Sequence, residues 1–192
     1  MKFGAAFFAL LATLIPAPVM FFAALVPGTA RAFSDGPPWT VEADGGCIRC
    51  HFDSAAVASS PVLRLAGIPP RIAAGKLYQL IITLRPRPED LNLIEEMRRA
   101  GFFLSAKSGD APAGTFEVKA IQESVEVQGA LARSTKVGSA LPVPNDARWT
   151  VFWRAPDGVS APVTFNLWAV AANGDDSRFG DVVHISTNVV GE

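Results

Sequence analysis

Arg148-Trp149-Thr150-Val151-Phe152-Trp153-Arg154 alternates: Trp149, Val151 and Trp153 fall on one face, Thr150 and Arg154 on the other. Apolar residues at every second position indicate a strand with one buried face, because successive side chains of extended backbone point to opposite sides. Val163, Phe165, Leu167 and Ala169 repeat the alternation downstream, and the run 182–187 closes the β-patterned part of the chain. Upstream, β-rich runs occupy 62–65, 77–84, 102–106 and 116–120, and Val125 and Val127 alternate with polar neighbours. Pro69-Pro70, Gly75, Gly101, Gly109, Pro112 and Gly114 punctuate them. About seven or eight short strands separated by turn residues predict an all-β domain over 61–192, an antiparallel β-sandwich. Only 88–99, with Leu91, Leu93, Ile94 and Met97, reads as a short amphipathic helix or turn.

The other end of the chain has a different character. Met1 and Lys2 are followed by an uncharged apolar run from Phe3 to Val26, then Pro27-Gly28 and Ala30-Arg31-Ala32. A basic start, an apolar stretch and small residues at the cleavage positions predict a secretory signal peptide over 1–32, with the mature chain starting near Phe33. An uncleaved membrane anchor is the alternative; Pro16, Pro18 and the Ala30/Ala32 pair favour cleavage. The expected location is therefore periplasmic or secreted. Removing Lys2 and Arg31 from the 17 basic residues leaves 15 against 18 acidic ones, a net charge of −3. That balance, scattered along the chain, offers no basic patch for nucleic acid. After Val26 no apolar run is long enough to span a membrane.

Residues 33–60 read as a polar, turn-rich linker, and they contain Cys47-Ile48-Arg49-Cys50-His51. Two thiols at this spacing reach the two vinyl groups of one porphyrin and form thioethers, and the adjacent histidine can bind the iron through Nε2. The motif predicts one covalent haem c, with Cys47, Cys50 and His51 as its attachment and axial residues. A redox dithiol would ordinarily open a helix in a thioredoxin-like βαβ unit, which the β pattern does not contain. A structural zinc would call on four protein ligands, and the chain has two cysteines and two histidines. For a sixth iron ligand the candidates are His184 and Met97, since Met1 and Met20 leave with the signal peptide. His184 on a strand and Met97 in a connection also have plain readings, an edge-strand histidine and a core filler. An open sixth position is the third option. Asn173-Gly174-Asp175-Asp176 with Asp181 reads as a solvated hairpin loop in preference to a calcium loop, whose spacing it does not match.

From Pro61 onward the chain resembles the bacterial Reeler-like domains of the choice-of-anchor type V group. The resemblance is carried by Gly75 with Leu77-Tyr78, by Gly101-Phe102-Phe103-Leu104 and by Gly114-Thr115-Phe116. It continues in Trp149-Thr150-Val151-Phe152-Trp153-Arg154-Ala155-Pro156, Val163-Thr164-Phe165, Ala171-Ala172-Asn173-Gly174-Asp175 and Gly180-Asp181. Members of that group often carry a Cys-x-x-Cys-His just before the sandwich, as at Cys47–His51. Where the group commonly has a His-Thr pair after the middle strand, this chain has Arg133-Ser134, which removes a ligand from that place. The resemblance implies an Ig-like, Reeler-like extracytoplasmic sandwich preceded by the haem-bearing linker. Together, motif and fold lead to the expectation of a monohaem c-type cytochrome that exchanges electrons with an unidentified redox partner protein. A non-catalytic binding or scaffold module with haem as a structural element, and a haem-based ligand sensor or peroxidase, are the alternatives. A homodimer is expected if the sixth ligand comes from a second copy.

Overall fold

The structure is a computed structural model that describes residues 35–43, 45–91, 95–119, 122–158 and 161–191. The expected signal peptide, with its cleavage site, lies outside the described residues. Ten strands are found among them: β1 (Leu63–Ala66), β2 (Leu77–Leu84), β3 (Arg99–Ser108), β4 (Ala111–Pro112), β5 (Thr115–Glu117), β6 (Val125–Gln128), β7 (Leu131–Ser134), β8 (Ala147–Arg154), β9 (Val163–Ala172) and β10 (Val182–Val190). They form two antiparallel sheets, one ordered β1-β2-β8-β5 and the other β10-β9-β3-β7-β6, with β4 folded back on β3. This is the all-β sandwich expected from the alternation.

The alternating residues meet between the sheets. Leu80, Ile82 and Leu84 of β2 and Trp149, Val151 and Trp153 of β8 face Phe102 and Leu104 of β3, Phe165, Leu167 and Ala169 of β9, and Val182 of β10. Aromatic pairs bridge the layers, Phe102 with Trp149 at 5.0 Å and Trp153 edge-on to Phe165 at 4.9 Å between ring centres. The indole N–H groups do not go unpaired in this apolar interior: Trp149 Nε1 donates to the Gly138 carbonyl at 2.8 Å and Trp153 Nε1 to that of Ala113 at 3.0 Å.

Of the helix or turn expected over 88–99, the described residues form a turn: their regular structure before β3 is a single 3-10 turn, Pro88–Asp90, held by Arg87 and Asp90. Leu91 and Met97 leave that turn to plug the inter-sheet core, and the Arg98 N–H is taken by the Ala172 carbonyl as the chain enters β3. The short strands β4 and β7 were not apparent as runs of their own. Each is the return arm of a hairpin, β4 after Gly109-Asp110 and β7 after Gly129-Ala130, and both glycines have positive φ.

The second sheet has an apolar outer face as well. Phe103, Val170 and Val183 point away from the inter-sheet core and are covered by Val41 and Cys47, with Trp39, Ala56, Leu131, Trp168 and Ile185 around them. Residues 35–60 thus lie across this face. Their last part runs beside β10, where Val57 exchanges backbone hydrogen bonds with Val183 and Ile185 at 2.8 and 2.9 Å and the Ser60 N–H donates to Ile185 at 2.9 Å. A chain starting at Pro61 is expected to keep a β-rich circular dichroism spectrum, because every buried residue of the inter-sheet cluster lies at 63–190, with only Val57 of the linker packed at its margin. It is also expected to lose roughly 3 kcal/mol or more of unfolding free energy in urea, as the outer cluster is bared to water. Equal stability of the two chains would show that the linker's packing contributes nothing.

Candidate functional site

The motif is shaped by one tight turn. Gly46 has φ +78, and a Cβ there would stand 2.6 Å from the Trp168 ring, so only glycine lets the backbone lie flat on that indole. A 3-10 turn, Cys47–Arg49, follows; the Cys50 and His51 N–H groups both donate to the Cys47 carbonyl, at 3.2 and 3.0 Å. The turn brings Cys47, Cys50 and His51 to the wall of one cavity of about 470 Å³ between the linker and the outer face of the second sheet. Pro37, Pro38 and Val41 supply its linker side; Gly101, Val170 and Ala172 are among the sheet residues that line it. Gly101, glycine within a strand, leaves room where another group approaches the sheet closely.

His51 is oriented from the far end of the sequence. Its Nδ1–H donates to Asp181 Oδ2 at 2.7 Å, and Asp181, just before β10, is buried. Ser54 Oγ donates to the Asp181 carbonyl at 2.8 Å, and the Gly180 N–H donates to Asp53, so the residues after the motif are stapled to the β9–β10 loop. With Nδ1 committed, Nε2 is the nitrogen whose lone pair is left for a ligand. The second carboxylate oxygen, Asp181 Oδ1, is buried with no partner among the described residues. Outside this pairing, Phe52 and Phe179 form an exposed edge-to-face pair at 6.1 Å, with the Arg178 guanidinium over both rings.

Neither cysteine is in a disulfide. Cys47 packs in the outer apolar cluster, and burial, with a smaller contribution from Cys50, pushes its thiol up to about 12. A docked thiol of this kind is a poor nucleophile, unlike the acidified cysteine of a dithiol oxidoreductase. Among the described residues no group of three or more His, Cys, Asp or Glu is gathered to hold a metal ion by itself. In the 173–181 loop Asp175 accepts from the Ser177 N–H at 2.8 Å, and Asn173 accepts from the Asp175 N–H at 2.9 Å, so these side chains brace the loop's own backbone.

The structure does not bring the two candidate sixth ligands to the motif. Cys47 packs on Val183, on the outer face; His184, the next residue, points the other way and is registered with Ala169 and Phe102 of the inter-sheet core. Its Nδ1 pairs with Ser60 Oγ at 2.9 Å, and Nε2 is buried without a partner. Met97 is fully buried in the same core. A whole sheet therefore separates both from His51, Cys47 and Cys50. Sequence reasoning placed Asp181 only in an acidic loop; nothing local marks a partner for a histidine 130 residues away.

No protein-family model matches the chain, and no curated protein is similar to it. Among solved structures, the Reelin-N domain of F-spondin superposes with a TM-score of 0.51 at 17% identity, over 76% of this chain and 96% of that domain. The human F-spondin reeler domain (fragment 1) gives 0.49 at 18% identity, over 73% of this chain and 95% of that one. The first of these likenesses shows a Reeler-like fold, as the resemblance in sequence implied.

Two predictions follow from this geometry. Burial depresses His184 from 6.5 to about 4, so the folded state binds fewer protons than the unfolded chain between those values. Stability is then complete above pH 6.5 and falls as pH drops toward 4, by up to about 3 kcal/mol. In urea titrations from pH 7 to 4, His184→Leu should flatten this part of the profile; an unchanged slope would place the acid sensitivity elsewhere. Gly46→Ala should lower stability by roughly 1–3 kcal/mol, and by less in a Trp168→Ala background, where the ring it strikes is gone. Equal cost in both backgrounds would refute the contact.

Proposed function

We propose that the exported chain is a monohaem c-type cytochrome-like protein, with one haem held by thioethers from Cys47 and Cys50 and its iron bound by His51. The observation that carries this reading is the His51–Asp181 pair. A metal-binding histidine almost always gives its other N–H to a carboxylate or carbonyl, which fixes the ring and raises its basicity. Here that arrangement exists at the motif's own histidine, beside free thiols and a cavity whose size suits a cofactor. When bound, haem c supplies reversible one-electron oxidation and reduction of its iron. The protein's part is to exclude water with Val41 and Val170 and to hold the imidazole. It also presents the exposed Phe52–Phe179 edge beside the motif, where a redox partner protein would approach.

A second reading is favoured by the interior positions of His184 and Met97. With the chain's remaining imidazole and the only methionine of residues 33–192 behind the sheet, the sixth position has no such ligand from this chain, as a sensor or peroxidase site needs. Protein made in a host with c-type maturation should exceed its polypeptide mass by one haem and keep its Soret band after acid extraction. Cys47→Ala with Cys50→Ala should lose both. A bare polypeptide mass from such a host would overturn the haem assignment. His184→Leu and Met97→Leu should leave the spectrum unchanged. High-spin iron that binds carbon monoxide would select the second reading, and a low-spin spectrum in both variants a ligand from a partner or a second copy.

A further inference from the structure

The cavity has a positive wall that the haem attachment does not use. Arg99, the first residue of β3, and Lys136, the first residue of the single-turn helix α1 (Lys136–Ser139), both line it. Among the described residues neither side chain has an ion pair or hydrogen bond, whereas Arg85, Arg87, Arg98, Arg133, Arg154 and Lys107 are each matched to a carboxylate. Arg99 is half-buried and Lys136 exposed, so both charges are solvated at the cavity's edge and available to an anion that arrives with the ligand.

Both cations stand on fixed backbone. Arg99 is laddered to Ala172 and bridged to Ala140. Thr135 caps α1 by accepting the Gly138 N–H at 3.1 Å, and Gly138 is wedged on the Ser124 backbone, which a Cβ would strike at 2.0 Å. Strand order gives the spacing. Asp181, continuing the β10 register, stands beside Ala172 of β9, which pairs with Arg99 of β3. Arg99 is thus two strand spacings, about 10 Å, from the residue that orients His51, and Lys136 lies farther on, just past β7.

We propose that Arg99 and Lys136 bind the two ionised carboxylates of the porphyrin, so that the cavity is built for a planar, apolar dicarboxylate. The proposal rests on the haem reading above and extends it to the residues that orient the ring edge opposite the thioethers. Asp176 also lines the cavity and opposes a second anion, so it supplies a test of opposite sign.

The experiment uses the mature chain made without haem maturation, with both cysteines reduced, titrated at low salt with haemin and with haemin dimethyl ester, and followed by the Soret band. Wild type should bind haemin about tenfold more tightly than the ester, a preference worth ~1.4 kcal/mol, and added salt should narrow the gap. Arg99→Gln with Lys136→Gln should bind the two equally, Asp176→Asn should widen the preference, and Arg148→Gln, on the other sheet, should leave it unchanged. In covalent holoprotein the same double substitution should lower the reduction potential, because removing positive charge favours the ferric state. Arg99→Lys with Lys136→Arg, which keeps both charges, should preserve the potential and control for folding. Equal affinity of wild type for haemin and ester, or an unchanged potential in the double variant, overturns the proposal even where covalent haem forms. Absence of a covalent adduct from a maturation-competent host overturns the haem reading itself.

Discussion

Phe103, Val170 and Val183 turn apolar side chains away from the inter-sheet core, and a sheet with two apolar faces must be covered on both. β-Strands β1, β2, β5 and β8 cover one face; residues 35–60 cover the other. That segment has too little hydrophobic content to fold by itself, so its order is borrowed from the sheet beneath it. Arg133 reinforces the cover, donating to the Pro37 carbonyl at 2.6 Å while its guanidinium lies 4.3 Å from the Trp39 ring. The site geometry follows from this docking: Gly46 flat on Trp168, Cys47 in the outer cluster, and His51 within reach of Asp181.

The same sheet that orders the motif isolates it. Strand alternation sends Val183 outward to Cys47 and His184 inward to the core. A histidine on a strand can serve only the face it points to, and moving His184 across would need a one-residue register slip that flips every neighbour with it. Burial favours its neutral form, against a smaller opposing contribution from Asp90, and its Nδ1 pairs with Ser60 Oγ. In this chain the two histidines therefore have separate duties, one in the packing of the sandwich and one at the cavity.

Docking also changes the motif: once Val41 and Cys47 lie on the sheet, the Cys47 thiol is desolvated and its ionisation opposed. The buried residues of the inter-sheet cluster all lie at 63–190, with Val57 of the linker packed at their margin, so the second sheet offers the face on which the segment settles. The cavity between them is then walled by apolar linker and sheet residues, anchored by His51 at one end and positively charged at the other.

Sequence alone determined the strands with strong alternation. The runs at 77–84, 148–154 and 163–169 each bury one face, and the period of two shows that without any tertiary information. It also isolated the Cys47–His51 motif, because the spacing of the thiols and histidine is a local property. Strands β4 and β7 were hidden, since Ala-Pro and Leu-Ala-Arg-Ser have little pattern and depend on hairpin partners. Of the helix or turn read at 88–99, the described residues form the turn, because Leu91 and Met97 answer to a distant core and not to each other. Only the tertiary structure could decide which side of a sheet His184 occupies, that Asp181 orients His51 across 130 residues, and that Arg99 and Lys136 share a wall. Local patterning specifies a strand's two faces, but which face meets which partner depends on how strands far apart in the chain are ordered in the sheet.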